Sequence, residues 1–203
     1  MKKLESSLVN MTVVLTTVAV VMGGILAFVN HMTSTPIAKQ KSLALENGIR
    51  SVLASNDVSV SSIDTLRQTD SKGKPLTFVI YNTDHGAAVE SATMGFGGTL
   101  KVLVGFDPAG TILGYTILEH QETPGLGAKA DQWFQKGQKG SIIGLNPSEG
   151  LTVSKDGGRV DAITASTITS RAFLLAVTNA YNAYKGTAPA DATSGASQNA
   201  NDL

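Results

Sequence analysis

The sequence has no cysteine, few aromatic residues and no net charge. The absence of cysteine from all 203 residues excludes disulfides, a thiolate nucleophile and any zinc site or iron–sulfur cluster held by cysteine. Any redox chemistry therefore requires a bound cofactor. Lysine and arginine together number 16, as do aspartate and glutamate, and 5% of the residues are aromatic. Such a chain lacks the positive surface and the stacking platforms that bind nucleic acid, so we expect no nucleic-acid partner.

The first feature that is present is a long apolar run near the N-terminus. No charged residue occurs in residues 6–30, and residues 8–29 are mostly apolar. At ~1.5 Å per helical residue, this run is long enough to cross the ~30 Å hydrocarbon core of a bilayer. A cleaved signal peptide is the alternative, but the run is long for one and Val29 fits the site before a cut poorly. We predict a retained transmembrane anchor at residues 8–29, in contact with membrane lipid.

The residues before this run predict its orientation. Lys2 and Lys3 directly precede the run, and positively charged residues favour the cytoplasmic side of a membrane. We therefore expect residues 1–7 in the cytoplasm and everything after Asn30 outside. In a bacterium, that arrangement is a single-pass protein of the inner membrane with a periplasmic C-terminal domain.

Three further segments follow the anchor. Residues 30–53 are predicted to contain a membrane-proximal amphipathic helix that starts at Thr35-Pro36, because apolar residues recur there at helical spacing (Ala38, Leu45, Ile49, Val52, Leu53). Residues 54–186 form the predicted globular domain. Residues 187–203 contain almost nothing to bury and are predicted to be disordered.

Strand patterns dominate the first part of the globular domain, and a helix closes it. Runs rich in β-branched and apolar residues predict strands at 76–81, 87–93, 99–106 and 111–119. Further patterns predict a short helix at 131–136, strand fragments at 151–155 and 159–160, and a long helix at 168–185 that ends at Gly186. Strands grouped before a closing helix indicate an α+β fold with a mostly antiparallel sheet packed by helices.

Two segments of this domain have the composition of binding sites. The loop at residues 120–127 contains two glycines and a proline, which let a flat ligand approach the backbone, while Glu122 and Thr123 offer polar groups. An ordinary surface loop explains the same residues. The second segment has five hydroxyl residues at 164–170, at the start of the long helix. Helix capping explains one or two of them, and a phosphate site at the helix N-terminus is the alternative for the rest.

Three motifs in this order resemble the FMN-binding domain family. Residues 161–167 resemble the flavinylation motif D-x-x-S/T-G-A-S/T, residues 119–127 resemble E-H-x-E-T-P-G-L-G, and residues 155–158 resemble K-D-G-G. The similarity extends from the anchor, including residues 30–33 and 36–38, to the last helix. It is greatest to the G subunits of the Rnf ion-translocating electron-transport complexes. The C subunits of the sodium-pumping NADH:quinone reductases are relatives.

This resemblance implies that FMN is attached through a phosphoester to Thr167, the last hydroxyl of the flavinylation motif. It implies further cofactor-binding residues in the three motifs: Asp161, Thr164, Ala165, Ser166, Glu122, Thr123, Gly125, Leu126, Gly127 and Lys155. No catalytic residue and no metal ligand is expected in the chain itself. The sequence departs from the family at Ala165 and Ser166, where Gly and Ala are most common. Ala165 narrows the backbone conformations of the turn, and Ser166 adds a hydroxyl beside Thr167.

The resemblance also implies partners and a reaction. The chain would relay electrons in a ferredoxin:NAD oxidoreductase that couples electron flow to sodium or proton movement. Its partners would be the other Rnf subunits, including the D subunit with a similar covalent FMN, and an FMN transferase that depends on FAD and magnesium. Two alternatives stay open at the level of the sequence. One is a stand-alone anchored flavoprotein reductase in the periplasm, and the other is a cofactor-free scaffold on the same anchor.

Overall fold

The computed structural model of the protein describes residues 8–54, 58–70 and 73–190. The chain divides into two compact units, one that ends at Ala44 and one that begins at Leu45. The predicted cytoplasmic segment 1–7, with both of its lysines, lies outside the described residues. So do residues 191–203 of the predicted tail, while residues 187–190 are described and have no regular secondary structure.

Helix α1 spans Leu8–Val52. Every residue of it from 8 to 44 is exposed, including a long series of valine, leucine, isoleucine, methionine and phenylalanine side chains. By length and composition α1 is able to cross a membrane, as the apolar run predicts. A bilayer is the environment in which so many exposed apolar side chains are stable.

The predicted helix start at Pro36 is wrong, because Pro36 lies in the interior of α1. A proline removes one backbone hydrogen-bond donor from a helix. The helix can still continue through the proline when the neighbouring residues favour helix. The residues before it hydrogen-bond to the helix that precedes them. Thr33 Oγ1 donates to the carbonyl of Val29 at 2.8 Å, and Ser34 Oγ donates to the carbonyl of His31 at 3.0 Å.

The second unit contains a five-stranded antiparallel sheet in the order β1-β2-β3-β4-β5. The strands are β1 (Val60–Thr69), β2 (Pro75–Thr83), β3 (Gly86–Met94), β4 (Thr99–Phe106) and β5 (Ile112–Glu119). Each strand pairs with the next one in sequence, so the sheet is a meander. The predicted mostly antiparallel α+β architecture is confirmed.

Short helical segments follow the sheet, and one long helix closes the domain. In chain order they are the 3-10 helix Gly127–Lys129, α2 (Ala130–Trp133), the 3-10 helices Pro147–Glu149 and Ser154–Asp156, and α3 (Thr167–Lys185). Helix α3 ends at Gly186, which has a left-handed φ of 70°, as its sequence predicts.

Successive side chains of a strand point to opposite faces of the sheet, and both faces of this sheet are packed. On β4, Val102 and Val104 belong to the core that includes α3. Leu103 belongs to a second cluster, formed with residues 49–53 at the end of α1. Gly105 permits the end of α1 to pack closely on β4, since a Cβ at position 105 would lie 2.2 Å from the carbonyl oxygen of Val52.

Two differences from the predicted elements have a physical reason. Strand β1 was not predicted, because it is an edge strand whose polar residues are mostly exposed and show no apolar alternation. The predicted strand fragments at 151–155 and 159–160 are wrong in large part. The structure has a 3-10 helix at Ser154–Asp156 and a single parallel bridge between Val153 and Val160, because the K-D-G-G turn reverses the chain too tightly for a strand.

Candidate functional site

The candidate site is built around the first turn of α3. Four side chains at the start of this helix bind three other segments of the chain. Their partners lie in the K-D-G-G turn at 155–158, in the 120–127 loop and in the 161–166 segment that precedes the helix. The four residues are Thr167, Thr169, Ser170 and Arg171.

The K-D-G-G turn contacts α3 through two side chains. Lys155 Nζ donates to Thr167 Oγ1 at 3.2 Å. Asp156 forms a two-point ion pair with Arg171, with Nε to Oδ2 at 2.7 Å and Nη2 to Oδ1 at 2.5 Å. The guanidinium lowers the pKa of Asp156, and the carboxylate raises the pKa of Arg171. This pair fixes the turn against the helix, which holds the ammonium of Lys155 beside the Thr167 hydroxyl.

The segment before α3 is fixed by a buried serine. Ser170 Oγ accepts a hydrogen bond from the backbone N–H of Ile163 at 2.9 Å and donates to the carbonyl of Ser166 at 2.9 Å. Between these two contacts lies Ala165, with a φ of 61°. A left-handed conformation is strained for alanine and unstrained for glycine. The flavinylation motif that this segment resembles has glycine at this position.

Glu122 lies inside the protein, with 6% of its surface exposed. Its Oε2 accepts from Thr169 Oγ1 at 2.8 Å. Its Oε1 accepts from the backbone N–H of Phe96 at 2.8 Å and of Gly97 at 3.3 Å. One carboxylate therefore joins the 120–127 loop, α3 and the turn between β3 and β4. Glu122 therefore holds these three segments together. The contact of Glu122 with a cofactor, which the family resemblance implies, stays a prediction.

The rest of the 120–127 loop divides into an exposed tip and one buried glycine. Thr123, Gly125 and Leu126 are exposed. Gly127 is buried, and a Cβ there would lie 2.4 Å from Glu122 Oε2 and 2.8 Å from Thr169 Oγ1. Only glycine lets the loop approach the carboxylate this closely.

Asp161 and the aromatic residues Trp133 and Phe134 have structural contacts. Asp161 Oδ1 accepts from Ser154 Oγ at 3.2 Å, and its backbone carbonyl accepts from Trp133 Nε1 at 2.8 Å. Phe134 is fully buried and stacks on Phe173 with ring centroids 4.4 Å apart. Phe134 is therefore a core residue.

Only some of the motif residues contact one another in the structure. Thr167 and Lys155 are in contact, and Ser166 is the N-cap residue of α3. Thr164 is exposed. Of the five clustered hydroxyl residues, Thr169 and Ser170 are buried and bind other protein groups. Phe96 was missed by the sequence reasoning, although it lies in a glycine-rich turn, Gly95-Phe96-Gly97-Gly98.

Comparison with known families identifies the domain. Residues 95–182 match the family model of the FMN-binding domain. The matched range begins at the turn that Glu122 holds and includes the 120–127 loop, the K-D-G-G turn and most of α3. The fold and this match define the class of the chain, an FMN-binding domain that follows an apolar N-terminal helix.

Individual relatives narrow this class. The G subunit of the ion-translocating oxidoreductase complex from Escherichia coli K12 is 36% identical over 178 residues, which cover 82% of this chain and 85% of the relative. The corresponding G subunit from Shewanella piezotolerans is 31% identical over 173 residues, covering 78% and 81%. The one from Aliivibrio fischeri is 39% identical over 117 residues, 55% of each chain. The chain belongs to the family of G subunits of ion-translocating oxidoreductase complexes.

The first prediction concerns the strained Ala165. Ala165→Gly should raise the free energy of unfolding by about 0.5–1 kcal/mol, since relief of the left-handed strain exceeds the extra unfolded-state entropy of glycine. Chemical denaturation of the full chain in detergent, followed by Trp133 fluorescence, measures the change. Ala188→Gly is the matched control, because Ala188 is exposed and its φ is not positive, and it should give no gain. Equal effects at both positions would contradict the strain at Ala165.

The second prediction concerns the ion pair of Asp156 with Arg171. Because the pKa of Asp156 is lowered in the folded protein, the pair stabilises the fold above the ordinary carboxyl pKa of about 3.9. That contribution is lost as the pH falls through the lowered value. Asp156→Asn should cost about 1–3 kcal/mol near neutral pH.

The measurement for this second prediction is a series of denaturation curves from neutral to acidic pH. The difference between wild type and Asp156→Asn should shrink once the pH falls below about 4. Glu149→Gln is the control, since its ion pair with Arg159 is more exposed, and it should cost less than about 1 kcal/mol at any pH. A difference for Asp156→Asn that does not change with pH would contradict the role of the pair.

Proposed function

We propose that this protein is an electron-carrying subunit of a membrane-bound ion-translocating oxidoreductase and carries FMN on Thr167 through a phosphoester bond. One observation supports the attachment site most strongly. The Thr167 hydroxyl lies at the first residue of α3, and the ammonium of Lys155 is 3.2 Å away. A helix N-terminus and a lysine together form a favourable environment for a phosphate group.

The neighbouring hydroxyls are poorer acceptors. Thr169 is 1% exposed and its hydroxyl donates to Glu122, while Ser170 is fully buried and bridges Ile163 and Ser166. An acceptor must be accessible to the enzyme that attaches the flavin. Thr164 and Ser166 remain accessible, but Thr167 is the one whose hydroxyl oxygen contacts Lys155.

The residues around Thr167 are suited to hold such a group. FMN supplies one- and two-electron transfer when it is bound. Lys155 would offset the negative charge of the phosphate, and the backbone N–H groups at the start of α3 would donate to its oxygens. The Asp156 and Arg171 pair would keep Lys155 in place. The tip of the 120–127 loop, with Thr123, Gly125 and Leu126, would contact the flavin.

We infer the partners of this chain and its location in the cell from the family to which it belongs. The relatives are named as subunits of an ion-translocating oxidoreductase complex, so this chain would assemble with the other Rnf subunits and take part in electron flow between ferredoxin and NAD. An FMN transferase that uses FAD and magnesium would load Thr167. Residues 8–29 would anchor the chain in the inner membrane, with residues 54–186 in the periplasm. Covalent attachment is useful there, because no pool of free FMN would replace a lost cofactor.

The third prediction tests the attachment residue. The full chain, co-expressed with an FMN transferase, should give a fluorescent band on a denaturing gel. Peptide mass spectrometry should find a mass gain of FMN less water on the peptide that contains Thr167. Thr167→Ala should lose both signals, whereas Thr167→Ser and the control Ser166→Ala should keep them.

Other outcomes of this experiment have distinct meanings. Flavin that persists in Thr167→Ala would overturn the residue assignment and point to Ser166 or Thr164. Wild type that carries no flavin after loading would overturn the proposed function and favour a cofactor-free scaffold.

The fourth prediction tests the orientation in the membrane. Because the chain has no cysteine, single cysteines introduced as Lys3→Cys and Lys139→Cys report on one position each. Lys139 lies in an exposed loop of the domain. A membrane-impermeant maleimide should label Lys139→Cys in intact bacterial cells and Lys3→Cys after lysis only. The opposite pattern would contradict a periplasmic domain.

A further inference from the structure

The exposed apolar side chains of the domain are few, and two of them, Phe96 and Leu126, lie on segments that contact Glu122. Within the described residues from 45 to 190, the exposed large apolar side chains are Val60, Ile63, Met94, Phe96 and Leu126. Phe96 is the most exposed of them at 69%, and it is the only aromatic residue of this region that belongs to the exposed class. A single exposed apolar residue is ordinary, so its setting decides whether it has a role.

The backbone of Phe96 is held in place. Its turn is closed by a hydrogen bond from Gly95 N–H to the carbonyl of Gly98 at 2.8 Å. The N–H groups of Phe96 and Gly97 both donate to the buried Oε1 of Glu122. A buried carboxylate that is hydrogen-bonded to backbone N–H groups orders the segment it binds. The exposed ring of Phe96 is therefore presented from an ordered turn.

The same carboxylate connects this turn to the attachment site. Glu122 Oε2 accepts from Thr169 Oγ1, and Thr169 is two residues after Thr167 in the first turn of α3. Gly127 packs against that oxygen, and the residue before it is Leu126, which is 41% exposed. Phe96 and Leu126 thus lie on two segments that meet at one carboxylate, and this carboxylate is hydrogen-bonded to the turn of α3 that also contains Thr167.

We propose that Phe96 and Leu126 form the contact surface for the isoalloxazine ring of the flavin attached to Thr167, with Phe96 as its stacking partner. This inference rests on the proposed function. Aromatic side chains favour contact with other flat π systems, and an exposed phenylalanine loses water-accessible surface when a ring covers it. The tether and the ring surface are then separate: Thr167 holds the phosphate end, and Phe96, positioned by Glu122, fixes the ring.

The experiment uses flavin fluorescence of the loaded full chain in detergent, because the tether keeps the flavin on the protein in every variant. An indole in contact with an excited flavin quenches its emission by electron transfer. Phe96→Trp should therefore lose most of the fluorescence per bound flavin relative to wild type. Ile63→Trp is the matched control, since Ile63 is also exposed, at 62%, but lies on the edge strand β1, and it should keep the wild-type emission.

A second variant tests the native side chain. Phe96→Ala should uncover one side of the ring and raise the efficiency of collisional quenching by iodide, whereas Ile63→Ala should leave it at the wild-type value. Flavin stoichiometry, measured from absorbance of the denatured protein, should be unchanged in all four variants.

The outcomes separate this inference from the proposed function. If Phe96→Trp emits like wild type and Phe96→Ala shows wild-type iodide quenching while flavin is present on Thr167, the ring does not contact Phe96. The inference is then overturned, the proposed function stands, and the exposed side chains are left as a surface for another subunit. Wild type without covalent flavin would overturn both.

Discussion

The arrangement of the site depends on the first turn of α3, where neighbouring side chains bind three different segments. Arg171 pairs with Asp156 of the K-D-G-G turn, Thr169 binds Glu122 of the 120–127 loop, and Ser170 holds the segment before the helix. Helix α3 is itself fixed by the main core of the sheet. The positions of all three motifs therefore follow from the packing of one helix, although the motifs are separated by up to dozens of residues in sequence.

This arrangement divides the motif residues into two groups. Glu122, Thr169, Ser170 and the Asp156 and Arg171 pair face protein groups and give the site its shape. Thr167, Leu126 and Phe96 are accessible and available to a ligand. Functional groups are most effective when the residues that support them are themselves locked by packing and hydrogen bonds. Under the proposed function such support would matter for the ring, because a tether at Thr167 would fix only one end of the cofactor.

The sequence predicted most of the sheet and the closing helix, because β2 to β5 have apolar runs with clear turns and α3 has a clear C-terminal glycine. It did not predict β1, whose exposed edge position removes the apolar pattern, or the path of α1 through Pro36, where the surrounding helix outweighs one lost donor. The three motifs, which resemble those of one family and occur in the same order, predicted a candidate site, and the structure brings these segments together at the start of α3. Sequence spacing could not show which hydroxyls are buried, that Glu122 faces inward, or that the turn with Phe96 joins the site, because these depend on long-range contacts.

The most direct test of the account is an experimental structure of the FMN-loaded chain. The account predicts a phosphoester at Thr167 Oγ1, a phosphate oxygen within hydrogen-bond distance of Lys155 Nζ, and the flavin ring in contact with Phe96 and Leu126. Glu122 should keep its contacts with Thr169 and the 95–98 turn. Flavin attached to another residue, or a ring that lies away from both apolar side chains with the Glu122 contacts intact, would contradict it.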